Sequence, residues 1–128
     1  MHLTAPSATP LRSRAPLAYS AGDATVIAAH GHITPTGVLR LERLAAVALD
    51  GACTRLVFDL YEVKDMDPDA LGLLRAAFRD IRLRGATLAL VGARPALVRA
   101  LRDLDSEDIS IYSNVRAALA TSRPETHR

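Results

Sequence analysis

Apolar and polar positions change period at one place in the chain, the stretch from Leu56 to Arg84. Leu56, Val57, Phe58 and Leu60 form a short apolar run interrupted only by Asp59, the pattern of a strand covered on both faces by helices. From Ala70 onward Leu71, Leu74, Phe78 and Ile81 recur at three- and four-residue spacing, while Arg75, Arg79, Asp80, Arg82 and Arg84 fall mostly on other faces. That pattern predicts a helix with one apolar side. Its start is marked by Asp67, a carboxylate able to accept from free amides as N-cap, by Pro68, which needs no amide partner at the first helical position, and by Asp69, whose charge suits the helix dipole. Gly85 marks its end. A central parallel strand thus leads through an acidic turn into the second helix.

Around this centre the remaining segments fall into place. Leu17 to Ser20 and Ala24 to Ala29 are apolar segments joined by Ala21-Gly22-Asp23, which predicts an opening hairpin, with Gly31 breaking its second strand. Thr34 or Thr36 can cap the first helix, whose Val38, Leu41, Leu44, Ala45, Ala48 and Leu49 keep helical spacing as far as Asp50-Gly51. After the second helix, Thr87 to Val91 reads as another buried strand ended by Gly92, and Pro95 opens a helix carrying Leu97, Val98, Leu101 and Leu104. Asp105 to Asp108 reads as an acidic loop. Ile109, Ile111 and Tyr112 predict a last strand, and Asn114 caps a small helix with Val115, Ala118 and Leu119. The order is β-β-α-β-α-β-α-β-α, and its strand-helix-strand crossovers require parallel neighbours reached by right-handed connections. An α/β fold with a small mixed, largely parallel sheet flanked by helices follows, with residues 17–120 as the domain, 1–16 as a flexible N-terminal tail and 121–128 as a C-terminal tail.

Composition narrows the classes of function. The 128 residues are 49% hydrophobic, enough for one core, whereas aromatics are 4% and Trp is absent, so Leu, Ala, Val and Ile must build that core. Sixteen Lys and Arg against 14 Asp and Glu leave a formal charge of only +2. With few stacking aromatics, no zinc-finger spacing and Asp80 interleaved among the helix-two arginines, nucleic acid is not an expected partner. The single Cys53 cannot form an internal disulfide, no apolar stretch is long enough to span a bilayer, and the first residues lack a continuous apolar segment of the secretory kind. The expectation is a reduced, cytoplasmic protein without membrane insertion.

Candidate chemistry centres on the acidic turn. Asp59, Glu62, Asp65, Asp67 and Asp69 suggest a Mg²⁺ or Ca²⁺ site, and Asp65-x-Asp67-x-Asp69 begins like an EF-hand loop. The pattern then fails: Ala70 stands where glycine is needed and Ala76 where the bidentate glutamate is needed. The first strands supply no acidic pair of the receiver type. His30 and His32 straddle Gly31 without a Cys or carboxylate at zinc spacing and read as exposed strand-end residues. Cys53 has no identifiable His partner, and no phosphate loop, dinucleotide glycine pattern or nucleophile elbow occurs. The expectation is a non-enzymatic chain with no metal and no cofactor.

Four segments in order, GHITPTGVLRLERLAAVAL, RLVFDLYEVKDMDPDALGLL, GATLALVGARPALVRAL and ISIYSNVRAALA, resemble the STAS domain, the module of bacterial anti-sigma factor antagonists and of the cytoplasmic tails of sulfate transporters. The likeness runs from about Leu17 to Ala120. In typical antagonists the turn is similar to Asp-Ser-Ser-Gly-Leu, and its first serine is phosphorylated by a partner that is both anti-sigma factor and kinase. The matching residues are Asp67, Pro68, Asp69, Ala70 and Leu71. Pro68 has no hydroxyl, so the phosphoacceptor is lost at the motif position. The resemblance implies reversible protein binding in signalling and transcription regulation, with an anti-sigma factor of the serine-kinase kind as the implied partner and the turn as the contact. In that reading Asp67 caps the helix, Pro68 fixes its first turn, Asp69 supplies a fixed charge, and Leu71 anchors the helix. Gly31 to Thr36, with Gly31 and Thr34 in front, extends the surface. Asp69 or Asp67 beside the lost acceptor also invites comparison with the phosphorylated state, although one charge falls short of the about −1.5 to −2 of a phosphate. The competing expectation is a STAS scaffold or assembly subunit of a transporter or sensory complex with no sigma pathway.

Overall fold

The computed structural model of the chain describes residues 15–101 and 109–120. Most of the expected N-terminal tail, Leu104 of the third helix, the acidic loop Asp105 to Asp108, the polar tail from Thr121, and His2 and His127 lie outside the described residues. The elements are β1 (Leu17–Ala21), β2 (Ala24–Ile33), α1 (Pro35–Asp50), β3 (Arg55–Met66), α2 (Pro68–Leu83), β4 (Thr87–Val91), α3 (Pro95–Leu101), β5 (Ile109–Tyr112) and α4 (Val115–Ala120). The five strands lie in sequence order across one sheet, β1 antiparallel to β2 and all later neighbours parallel. The order and the mixed α/β class are those the hydrophobic pattern predicts.

Strand β3 explains why the helices divide between two faces. Its Leu56, Phe58 and Leu60 point to one side with Ile27, Leu88 and Leu90, and α1 and α2 cover them through Val38, Leu41, Leu74, Phe78 and Ile81. The rings of Phe58 and Phe78 meet with centroids 5.0 Å apart and planes tilted by 54°, a favoured aromatic arrangement. On the opposite face Val57 joins Val26 and Val91 beneath Ala118 of α4. Each fully buried side chain of this size contributes about 1.5–3 kcal/mol, so the sheet-to-α2 contact holds the head of α2 in place. At the end of β4, Gly92 has φ of +72°, and a Cβ there would lie 2.8 Å from the Cα of Tyr61. Only glycine combines that backbone angle with so close an approach.

Three local expectations are corrected. Ala21 ends β1 rather than belonging to the turn, because it pairs with Ala24 and leaves Gly22-Asp23 as a two-residue connection. Gly31 does not break β2: with φ of +73° it sits at a register shift and the strand runs on to Ile33. The acidic stretch after Leu60 is strand rather than turn, since Glu62 to Met66 pair with His30 to Ile33. Two register shifts, between Ala28 and His30 and between Gly31 and His32, insert extra residues into β3 relative to β2, which is the work of bulges. Among the described residues no helix is long and apolar enough to cross a membrane.

Candidate functional site

The ends of β2 and β3 bring the heads of α1 and α2 together. The amide of Asp67 donates to the carbonyl of Ile33 at 3.0 Å, tying the turn before α2 to the residue before Thr34. Thr34 caps α1, its Oγ1 accepting from the Gly37 amide at 3.1 Å, and Pro35 follows at the first helical position. Asp67 has the extended backbone of an N-cap, Pro68 follows in the same way, and the Leu71 amide donates to the Asp67 carbonyl at 3.0 Å. The expected surface residues are therefore neighbours. Thr34, Pro68 and Asp69 are exposed, Gly31 is half-buried, Ala70 is fully buried and Leu71 packs against the core from a half-buried position. Ala70 and Leu71 fix the turn, while Pro68 and Asp69 present it.

The Asp67 side chain departs from expectation: it makes no cap hydrogen bond. Its carboxylate instead takes the Nε2 of His32 at 2.6 Å, while the Nδ1 of His32 meets the carboxylate of Asp65. His32 is thus not the idle strand-end residue that its sequence context predicts. The signal that context lacked is register, because continuing the initial β2–β3 pairing would set Val63 opposite His32, and the two shifts in β3 bring Asp65 there instead. Hydrogen bonding of the ring to the Asp65 carboxylate, then to that of Asp67, raises the pKa of His32 above 6.5, since both favour the charged ring. Asp65 and Asp67 engage different ring nitrogens, so the three side chains do not converge on one point as a cation would require. Among the described residues no group of three or more His, Cys, Asp or Glu is arranged to hold a metal ion.

Two clefts flank this point. One, of about 200 Å³, is lined by Ile33, Thr34, Thr36 and Arg40 together with His30 and His32, and the Nδ1 of His30 is buried there without a hydrogen-bond partner. The other, of about 320 Å³, has a floor of Leu60, Val63, Met66, Leu71 and Leu97 and a rim of Lys64, Asp65 and Arg94. The guanidinium of Arg94 donates to the Lys64 carbonyl at 3.1 Å, bracing the head of α3 against the end of β3. Away from this end, Arg55 bonds Asp23 and the Ala118 carbonyl, and Arg84 bonds Asp50. Those pairs join elements without forming a cleft between the helix heads.

The chain is similar in fold to several solved structures. Bacillus SpoIIAA, described as a cell fate determinant and solved in its phosphorylated form, has 16% identity and a TM-score of 0.67, with 83% of this chain and 97% of that one covered. An anti-sigma factor antagonist from Mycobacterium paratuberculosis has 21% identity and a TM-score of 0.62, with 82% and 90% covered. A substituted RsbS from Moorella thermoacetica has 21% identity and a TM-score of 0.67, with 86% and 93% covered. At these identities the likeness is one of fold. No curated protein matches the sequence. The family model described as the MlaB STAS domain matches residues 18–111, which takes in β2, β3 and β4, all but one residue of each of β1 and β5, and the paired heads of α1 and α2. The chain belongs to the STAS domain family, in its MlaB group.

Proposed function

We propose that the chain is a non-enzymatic protein-binding module of the anti-sigma factor antagonist kind, whose contact is the turn Asp67–Leu71 together with Gly31 to Thr34. The observation that carries this reading is the turn itself, which exposes Pro68 and Asp69 on a helix head fixed by buried Ala70 and by the Asp67–Ile33 backbone bond. A rigid, exposed helix head costs little ordering entropy on association. The neighbouring apolar cleft deepens the surface, and its apolar floor with a rim of Lys64, Asp65 and Arg94 suits a partner segment that carries an aliphatic residue flanked by charged ones. The expected partner is a protein of the anti-sigma factor and serine-kinase class, met in the cytoplasm.

Pro68 supports a second reading. A residue without a hydroxyl cannot accept phosphate, so the surface is offered without the family's usual switch, as suits a scaffold or assembly subunit of a transporter or sensory complex. Affinity capture from the native lysate with wild type and Asp69→Arg separates the readings. A serine-kinase-type anti-sigma factor held by the first and lost by the second is the expected result. A transporter or sensor component lost in the same way moves the chain to the assembly class. Identical captured sets refute the turn as a contact.

A further inference from the structure

We infer that His32 is a protonation latch that decides whether the Asp67 carboxylate joins the two halves of the proposed binding surface or withdraws to cap α2. The inference rests on the reading of the turn as a contact surface and concerns its regulation. Both ring nitrogens of His32 face carboxylates, Asp65 at Nδ1 and Asp67 at Nε2. An ionised carboxylate only accepts, so both nitrogens must donate, and only the imidazolium does so. The neutral ring has one N–H and serves one of the two.

Which carboxylate leaves is set by what else each can bond. Asp67 is the N-cap residue of α2 with extended backbone and no side-chain cap bond. Pro68 has no amide to offer, which leaves those of Asp69 and Ala70 as the cap donors within reach of an N-cap side chain. Asp65 lies in β3 with no helix head of its own. On loss of the proton Asp65 keeps the remaining N–H and Asp67 turns to α2. The charged and titratable groups around the ring are Asp65 from β3, Asp67 at the head of α2, Arg40 from α1 in the shared cleft, and His30 on the same strand opposite Glu62. Desolvation opposes the charged ring and the two carboxylates outweigh it, in keeping with the raised pKa. In the protonated state Asp67 bridges the Gly31–Thr34 segment and the turn. In the neutral state this side-chain bridge is gone, the Asp67–Ile33 backbone bond still ties the segments, and the Pro68–Asp69 surface is redrawn, in a chain whose motif position cannot be phosphorylated.

Nuclear magnetic resonance of the full chain tests this without any partner. Imidazole resonances of His32 and backbone amides of Asp69 and Ala70 are followed across the imidazole titration range in wild type, His32→Gln and Asp67→Ala. The latch predicts a His32 midpoint above 6.5, with an Asp69 or Ala70 amide moving downfield at the same midpoint as it gains the carboxylate. That step is absent in His32→Gln, and in Asp67→Ala it disappears while His32 still titrates at a lower midpoint. Amides that stay flat while His32 titrates in wild type, or an unchanged step in His32→Gln, overturn the latch. Either outcome leaves the turn as a partner contact untouched, because that reading stands or falls on capture.

Discussion

The heads of α1 and α2 lie side by side and start with the same local grammar, a capping residue followed by proline: Thr34-Pro35 in one and Asp67-Pro68 in the other. Thr34 does what its position predicts and accepts from the Gly37 amide. Asp67 does not, and its carboxylate faces His32. The two helices are of equal length, each with 16 residues, and both pack against the same core, so the difference lies in the company each cap keeps. A capping side chain beside a charged partner has a choice that one without such a partner lacks. The proposed contact sits at the head with the choice.

Variants in the two helices and at their heads sharpen this contrast. The largest effect is expected from Phe78→Ala, which removes the ring packed on Phe58 and should cost about 3–5 kcal/mol in denaturant unfolding. A loss of that size shows that packing, rather than a cap, holds α2. Thr34→Ala should cost about 1 kcal/mol, the usual value of a lost N-cap bond. Pro68→Ser should cost about 0.5–1 kcal/mol through the freer unfolded chain, with no loss of a cap, and it restores a hydroxyl at the family's acceptor position. Asp67→Ala carries the smallest and most informative effect, a change of its cost with pH. Below the His32 midpoint the substitution removes the solvent-screened His32 pair, and as His32 loses its proton it removes a cap instead, so its cost should change through the raised His32 pKa while that of Thr34→Ala stays constant. Equal, pH-independent losses at the two heads in unfolding curves would erase the contrast.

The same geometry sets the sign of a pH effect on stability. The folded-state pKa of His32 is raised by Asp65 and then Asp67. The stabilisation from its charged pairs is therefore complete below about 6.5 and lost as pH rises through the raised value. With His32 half-exposed, solvent screens the pairs and the change is small. His32→Gln should flatten that part of the stability profile.

Much of the fold was legible because periodicity and punctuation agree. The switch from strand to helix at Asp67-Pro68-Asp69, and the glycines at Gly51, Gly85 and Gly92, mark ends that the structure keeps within a residue or two. The far half of β3 was not legible: of Tyr61 to Met66 only Val63 is buried, and a strand lying beyond most of the helix cover has no apolar alternation to betray it. His32 with Asp65 and Asp67 was hidden for a further reason. These groups are more than thirty residues apart in sequence, and their meeting depends on two register shifts that no local pattern encodes. Gly31 was legible as an irregularity, yet its positive φ bends the strand at a register shift instead of ending it.

The most direct test of the turn as a contact is calorimetric titration of the captured partner with wild type, Asp69→Arg and Asp50→Arg, the last at the far end of the helices where Asp50 pairs with Arg84. Asp69→Arg should weaken binding by about tenfold or more, roughly 1.4 kcal/mol, while Asp50→Arg leaves it unchanged. Equal affinities for wild type and Asp69→Arg would contradict the account and leave the turn with no role beyond starting a helix.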